Sequence, residues 1–153
     1  MIHHISISVT NPLHVAQVLA EVLNGQAFPF FPHPGSYMVF PFDSNGTGIE
    51  IYPLTTKLIP GEGDNQCTFV ETASSSGFTA THAAISVSSS QEKIELIGKR
   101  EGWRVLRCNR DSFFDVIEFW LENKVMIELL TPEMAAQYLA VTQPENLKKV
   151  FNS

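Results

Sequence analysis

The sequence predicts an α+β protein built from two tandem βαβββ modules. Three observations carry this reading. Short runs alternate apolar and polar residues, two capped amphipathic helices follow such runs, and the same residues recur at one fixed offset. His4 and His82 lie 78 residues apart, and so do Glu50 and Glu128. Their surroundings recur too. His4-Ile5-Ser6-Ile7-Ser8-Val9 echoes His82-Ala83-Ala84-Ile85-Ser86-Val87, and Ile49-Glu50-Ile51 echoes Ile127-Glu128-Leu129.

In residues 2–9, Ile5, Ile7 and Val9 share one face while His4, Ser6 and Ser8 share the other, which describes a strand with one buried side. Asn11-Pro12 reads as a helix N-cap followed by proline at the first helical position. Val15, Val18, Leu19, Val22 and Leu23 keep helical spacing, and Gly25 is the expected close of the helix. Phe28 to Phe31 is aromatic and broken by prolines, so a weak strand is expected. Tyr37 to Phe42 is a stronger one. Asp43-Ser44-Asn45-Gly46 is a turn sequence, and Gly48 to Tyr52 is the fourth strand.

The second half repeats this order. Thr81 to Val87 is a strand. Ser89 with Glu92 fits a capping box, and a helix runs on to Gly102. Trp103 to Cys108, Phe114 to Trp120 and Val125 to Leu130 are three more strands, the last two joined by Glu122-Asn123-Lys124. At the fixed offset Phe42 falls on Trp120 and Phe40 on Glu118. The helices drift by one residue, as a small deletion in one of them would produce.

The chain is expected to be a single domain over 1–153, with a first module at 2–53 and a second at 81–131. Residues 54–80 form a long polar linker, with an extra strand around Cys67 to Val70 and the rest a flap. Residues 132–153 form a helical appendage, with helices starting at Thr131-Pro132 and Gln143-Pro144.

The 153 residues suffice to bury a core, with 44% hydrophobic residues and a mean hydropathy near zero. The net charge of −6 argues against a nucleic-acid partner. No apolar run approaches the roughly 18 residues that span a bilayer, so no membrane partner is expected. Met1-Ile2-His3-His4 shows no signal-peptide pattern. Cys67 and Cys108 read as reduced thiols of a cytoplasmic protein.

Two modules that each offer an imidazole and a carboxylate from strands can build a four-ligand metal site at a pseudo-twofold axis. Such a borderline and hard donor set suits Ni, Zn, Co, Mn or Fe(II). The bland alternative is that a lone strand histidine or glutamate is structural or solvated. Ser6, Ser8 and Ser86 face the same side as the histidines. Tyr52 shares the face of Glu50, and Phe42 and Trp120 flank the same cavity if their parity is right. These make Ser6, Tyr52, Phe42 and Trp120 candidate substrate contacts, with core packing as the alternative for the aromatics. His3 points opposite to His4, while His14 and His33 read as helix-start and loop histidines. Arg100, Arg104, Arg107 and Arg110 are the only arginines. They would either grip an anionic substrate or protect an edge strand by charge.

With a histidine on the first strand and a glutamate on the fourth of each module, the chain resembles the vicinal oxygen chelate superfamily. That group includes glyoxalase I, extradiol dioxygenases and the fosfomycin and bleomycin resistance proteins. The resemblance implies an open, curled mixed sheet around a cleft that holds a divalent metal. The ligands would be His4, Glu50, His82 and Glu128, a pattern closest to bacterial glyoxalase I. It implies metal-dependent lyase or isomerase chemistry on a small oxygenated molecule. The metal polarises a carbonyl beside a stabilised enolate, and Glu50 or Glu128 moves the proton. A non-catalytic binding or resistance protein is the alternative, with a dioxygenase third. The modules pair either within one chain or across a homodimer. The first module has no arginine to match those that hold glutathione in glyoxalase I. Ala16-Gln17-Val18-Leu19 stands where that group often has a Phe-Tyr pair, and Leu121-Glu122-Asn123-Lys124 replaces its usual Asp-Pro-Asp-Gly turn.

Overall fold

Alternation in the first half becomes four strands and a helix. In the computed structural model, residues 4–43, 47–59, 68–73, 82–110, 112–143 and 145–146 are described. The backbone forms two units, Met1–Ala80 and Thr81–Ser153.

The first unit contains β1 (His4–Val9), α1 (Pro12–Val22), β2 (Gln26–Pro29), β3 (Tyr37–Phe40) and β4 (Gly48–Pro53). Its sheet runs in the order β1-β4-β3-β2. β1 lies parallel to β4, and the other pairs are antiparallel. The parallel pair requires a crossover, which the helix and two strands between them supply. The buried face of α1 (Val15, Val18, Leu19 and Val22) and the sheet residues Val39, Ile49 and Ile51 form the core of this unit. Burying each such side chain stabilises by about 1.5–3 kcal/mol.

The Asn11 side chain caps α1 by accepting from the His14 amide at 3.2 Å. Its close differs from expectation. Asn24, not Gly25, takes the left-handed backbone, with φ of 51°. Asparagine tolerates that region better than most residues. The Gly25 amide then donates back to the Ala20 carbonyl at 2.8 Å. Glycine is required at 25 for space, because a Cβ there would lie 2.2 Å from the Phe40 carbonyl oxygen.

Beyond β4 the linker forms a two-stranded antiparallel hairpin, β5 (Thr56–Ile59) with β6 (Thr68–Glu71). The expected extra strand is β6, and its partner β5 was not anticipated. Residues 60–67 and 74–81 lie outside the described residues, and Cys67 with them.

The second unit contains β7 (Ala84–Ser86), α2 (Gln91–Glu101), β8 (Val105–Arg110), β9 (Phe114–Leu121), β10 (Val125–Leu130) and α3 (Pro132–Val141). Its sheet order, β7-β10-β9-β8, matches that of the first unit. Ser90 rather than Ser89 caps α2, accepting from the Lys93 amide at 3.3 Å, while Ser89 is buried. Both α1 and α2 are 11 residues long. The drift therefore comes from no deletion within a helix. The N-caps Asn11 and Ser90 are 79 residues apart, so the extra residue sits in the strand-to-helix connection. Glu122 and Asn123 both have positive φ, as the tight turn between β9 and β10 requires. The expected second C-terminal helix falls largely outside the described residues.

The repeat is written into the hydrogen-bond register. Glu50 stands opposite Ser6, and Glu128 stands opposite Ala84, 44 residues earlier in each case. The next strand breaks the fixed offset. Glu50 faces Met38, 12 residues earlier, whereas Glu128 faces Glu118, 10 residues earlier. By register Phe40, not Phe42, is the counterpart of Trp120. The architecture is α+β with two four-stranded mixed sheets, neither closed into a barrel.

Candidate metal and substrate site

In the first unit three side chains converge on Glu50. Register puts Ser6 beside it, and alternation along β4 puts Tyr52 on its face. The Ser6 hydroxyl donates to Glu50 Oε2 at 2.6 Å and the Tyr52 hydroxyl donates to the same oxygen at 2.9 Å. His4 Nε2 lies 3.8 Å from the other oxygen, Oε1. The Glu50 side chain is only 15% exposed while His4 is 57% exposed, so the imidazole stands at the open side of the carboxylate.

Tyr52 is held from behind by rings. Phe30 meets it edge-on at 5.9 Å, Phe69 of β6 lies at 5.5 Å, and His33 at 5.5 Å. His33 also packs at a tilt against Phe69 at 4.7 Å and shares a hydrogen bond with the buried Ser36 hydroxyl at 2.8 Å. His33 is a histidine of the β2–β3 loop and also a packed member of this wall. Phe42 lies past the end of β3 with φ of 57° and is 67% exposed, packing edge-on against Phe28 at 6.4 Å. His14 is exposed at the start of α1, and His3 lies outside the described residues.

In the second unit Glu128 has a different companion. Arg110, at the end of β8, donates to Glu128 Oε1 from Nε at 3.2 Å and from a terminal nitrogen at 2.5 Å. The same terminal nitrogen donates to Glu118 Oε1 at 3.1 Å, and the Trp120 indole N–H donates to Glu118 Oε2 at 3.2 Å. The Glu128 hydrogen bonds hold the Arg110 pKa above its ordinary value against the opposing effect of burial, with Glu118 adding to them. Burial pushes the Glu118 carboxyl upward, yet hydrogen bonds from Trp120, Arg110 and Cys108 outweigh it, and the pKa is lowered. The Cys108 thiol is free and is pushed up, first by burial and then by Glu118.

The two carboxylates therefore sit at one register position with unlike partners. Ala84 and Leu130 stand where the first unit has Ser6 and Tyr52, so no hydroxyl reaches Glu128 from those positions. His82 is exposed just before β7. Within either unit, the described residues include no group of three or more His, Cys, Asp or Glu side chains arranged to hold a metal ion.

The other arginines resolve mostly into ion pairs. Arg100 binds Glu101, and Arg107 binds Asp115 across the β8–β9 ladder. β8 is an edge strand, as the charge-protection alternative anticipated. The Arg107 hydrogen bond, with help from Asn109, holds the Asp115 carboxyl below its ordinary value. The native state thus binds fewer protons than the unfolded chain between the two values. Stability from this group is present above the ordinary carboxylate range and is lost as pH falls through the depressed value. In thermal melts from pH 7 to pH 2, Asp115→Asn should flatten the acid limb relative to the parent. An unchanged limb would show that the pair carries no linkage.

Two tandem βαβββ modules, each with its first strand parallel to its last, give this chain a fold of the vicinal oxygen chelate type. Solved structures match over nearly the whole chain. The monoclinic form of the fosfomycin resistance protein FosX from Listeria monocytogenes superposes with a TM-score of 0.58 at 18% identity, covering 92% of this chain and 96% of that one. A Glu-to-Gln variant of that protein, complexed with Mn(II) and 1S,2S-dihydroxypropylphosphonic acid, matches at 0.56 and 15% identity, covering 92% and 97%. The integron cassette protein VCH_CASS1 of V. cholerae matches at 0.52 and 12% identity, covering 86% and 94%. No sequence-family model matches the chain, and no curated protein matches it. No described helix is long and apolar enough to cross a membrane.

Proposed function

We propose that this protein is a divalent-metal-dependent enzyme of lyase or isomerase type acting on a small oxygenated molecule. Its ligands would be His4, Glu50, His82 and Glu128. The observation that carries this reading is the environment of Glu50, a mostly buried carboxylate with an imidazole on one oxygen and two hydroxyl donors on the other. Imidazole and carboxylate are donor types that suit a divalent ion. The 3.8 Å between His4 Nε2 and Glu50 Oε1 is slightly longer than the roughly 3–3.5 Å between two ligand atoms on one ion with bonds near 2.1 Å. The FosX complex with Mn(II) supports the same expectation through the shared fold.

A bound divalent ion would supply Lewis acidity, polarising a substrate oxygen. Glu50 or Glu128 would leave the ion to take or return the proton. Ser6 and Tyr52 would orient Glu50. Tyr52 and the rings behind it would form the apolar wall against which the substrate lies. Trp120 and Phe42 would be further substrate contacts. The reading includes a cytoplasmic homodimer.

A second reading is favoured by the wall of Phe30, His33, Tyr52 and Phe69. These rings suit a protein that sequesters a small molecule without turnover.

The test is elemental analysis after dialysis against Mn(II), Ni(II) or Zn(II), with the parent compared to His4→Ala and His82→Ala. The expected result is one tightly held ion per site, with affinity at least about tenfold weaker in each variant. Parent protein that holds none of these ions would overturn the enzyme reading. The loaded protein would then be offered oxygenated phosphonates, fosfomycin among them, and 2-oxoaldehydes with thiols.

A further inference from the structure

The structure assigns Arg110 a role as an internal competitor for the metal site, occupying Glu128 until a divalent ion displaces it; this rests on the metal reading above. Both the Nε and a terminal nitrogen of Arg110 address one oxygen of Glu128. Such a charge-assisted pair is among the stronger hydrogen-bonded contacts a protein makes. The Arg110 side chain is 34% exposed and Glu128 is 12% exposed, so the carboxylate is sheltered while the guanidinium keeps a way out to solvent.

Glu118 gives the displaced arginine somewhere to remain. It stands directly across the β9–β10 ladder from Glu128 and already accepts from Arg110. Trp120 fixes its other oxygen. When Glu128 turns to a cation, Arg110 keeps this second carboxylate, and the sheet face is not left with an unpaired guanidinium. Replacing one cation by another also keeps the pair of carboxylates neutralised throughout, avoiding the cost of two like charges side by side in a partly buried place.

Among the described residues no guanidinium holds Glu50, where the register partner is Ser6 and the cross-strand neighbour is Met38. The two carboxylates therefore differ in readiness. Glu50 meets an incoming ion with hydroxyls that remain in place, and Glu128 must exchange one cationic partner for another.

The experiment is calorimetric titration of the full chain with Mn(II), and with Zn(II) in parallel, for the parent, Arg110→Gln and Arg110→Lys. Thermal melts confirm that each variant is folded. Arg110→Gln is expected to bind metal at least about tenfold more tightly, as loss of a charge-assisted competitor predicts. Arg110→Lys keeps the charge but loses the fork, and is expected to bind more tightly than the parent by a smaller factor. If Arg110→Lys matches the parent, general charge repulsion suffices and the competition is overturned. Unchanged or weaker binding in Arg110→Gln overturns it as well, leaving the metal reading intact. Absence of binding in all three proteins overturns both.

Discussion

Glu50→Gln should lower turnover by about 10²–10⁴-fold at saturating metal, with ligand binding retained. The amide is nearly isosteric, and its oxygen still accepts from Ser6 and Tyr52, which bond a single carboxylate oxygen in the parent. What it loses is the capacity to take a proton. The measurement is steady-state kcat and KM on whichever substrate the metal-loaded screen returns, with ligand affinity measured separately. A kcat within a few-fold of the parent would remove Glu50 from proton transfer. Loss of ligand affinity in step with kcat would make it a binding group instead.

The largest stability effect is expected at Phe119. Its ring is wholly buried in β9, a central strand of the second sheet, and Trp103 meets it edge-on at 5.8 Å. Phe119→Ala removes most of that volume from a place where strand backbones on both sides restrict collapse. The expected cost is about 3–5 kcal/mol. Urea unfolding monitored by tryptophan fluorescence reads it, because Trp103 reports on the same contact. Phe119→Leu should recover a large part of the loss. A midpoint shift equivalent to under about 1 kcal/mol would mean that the second unit repacks around the gap.

Much of the fold was legible because local and global signals agree. Alternation in residues 2–9, the Asn11-Pro12 start and the Gly102 stop each name one conformation, and the structure adopts them over His4–Val9 and at both helix ends. That Tyr52 shares the face of Glu50 followed from parity, since residues two apart on a strand share a face, whereas Ser6 reaches Glu50 only through the β1–β4 register. What escaped depends on pairing between strands, which sequence spacing does not carry. The fixed offset hid the two-residue difference between the β3–β4 and β9–β10 hairpins, so Phe42 was matched with Trp120 although its backbone has already left the strand. β5 was missed because Thr56-Lys57-Leu58-Ile59 is short and stable only against β6. Arg110 was visible as part of a basic cluster. Its contact with Glu128 was not, because it requires β8, β9 and β10 to lie side by side.

The register also bears on how the halves have come to differ. The ladder positions of Ser6 with Glu50 and of Ala84 with Glu128 are the same, so a change of length there would have moved every side chain to the wrong face. Length has instead varied where the chain leaves the sheet: one residue gained before the helix and one lost after it, two gained in the hairpin between the second and third strands of the module and two lost in the next. A repeated module constrained in this way can differ between its copies only by substitution at fixed addresses. Serine against alanine, tyrosine against leucine and methionine against glutamate are such substitutions, and through them two copies of one scaffold acquire unequal chemistry without either losing its frame.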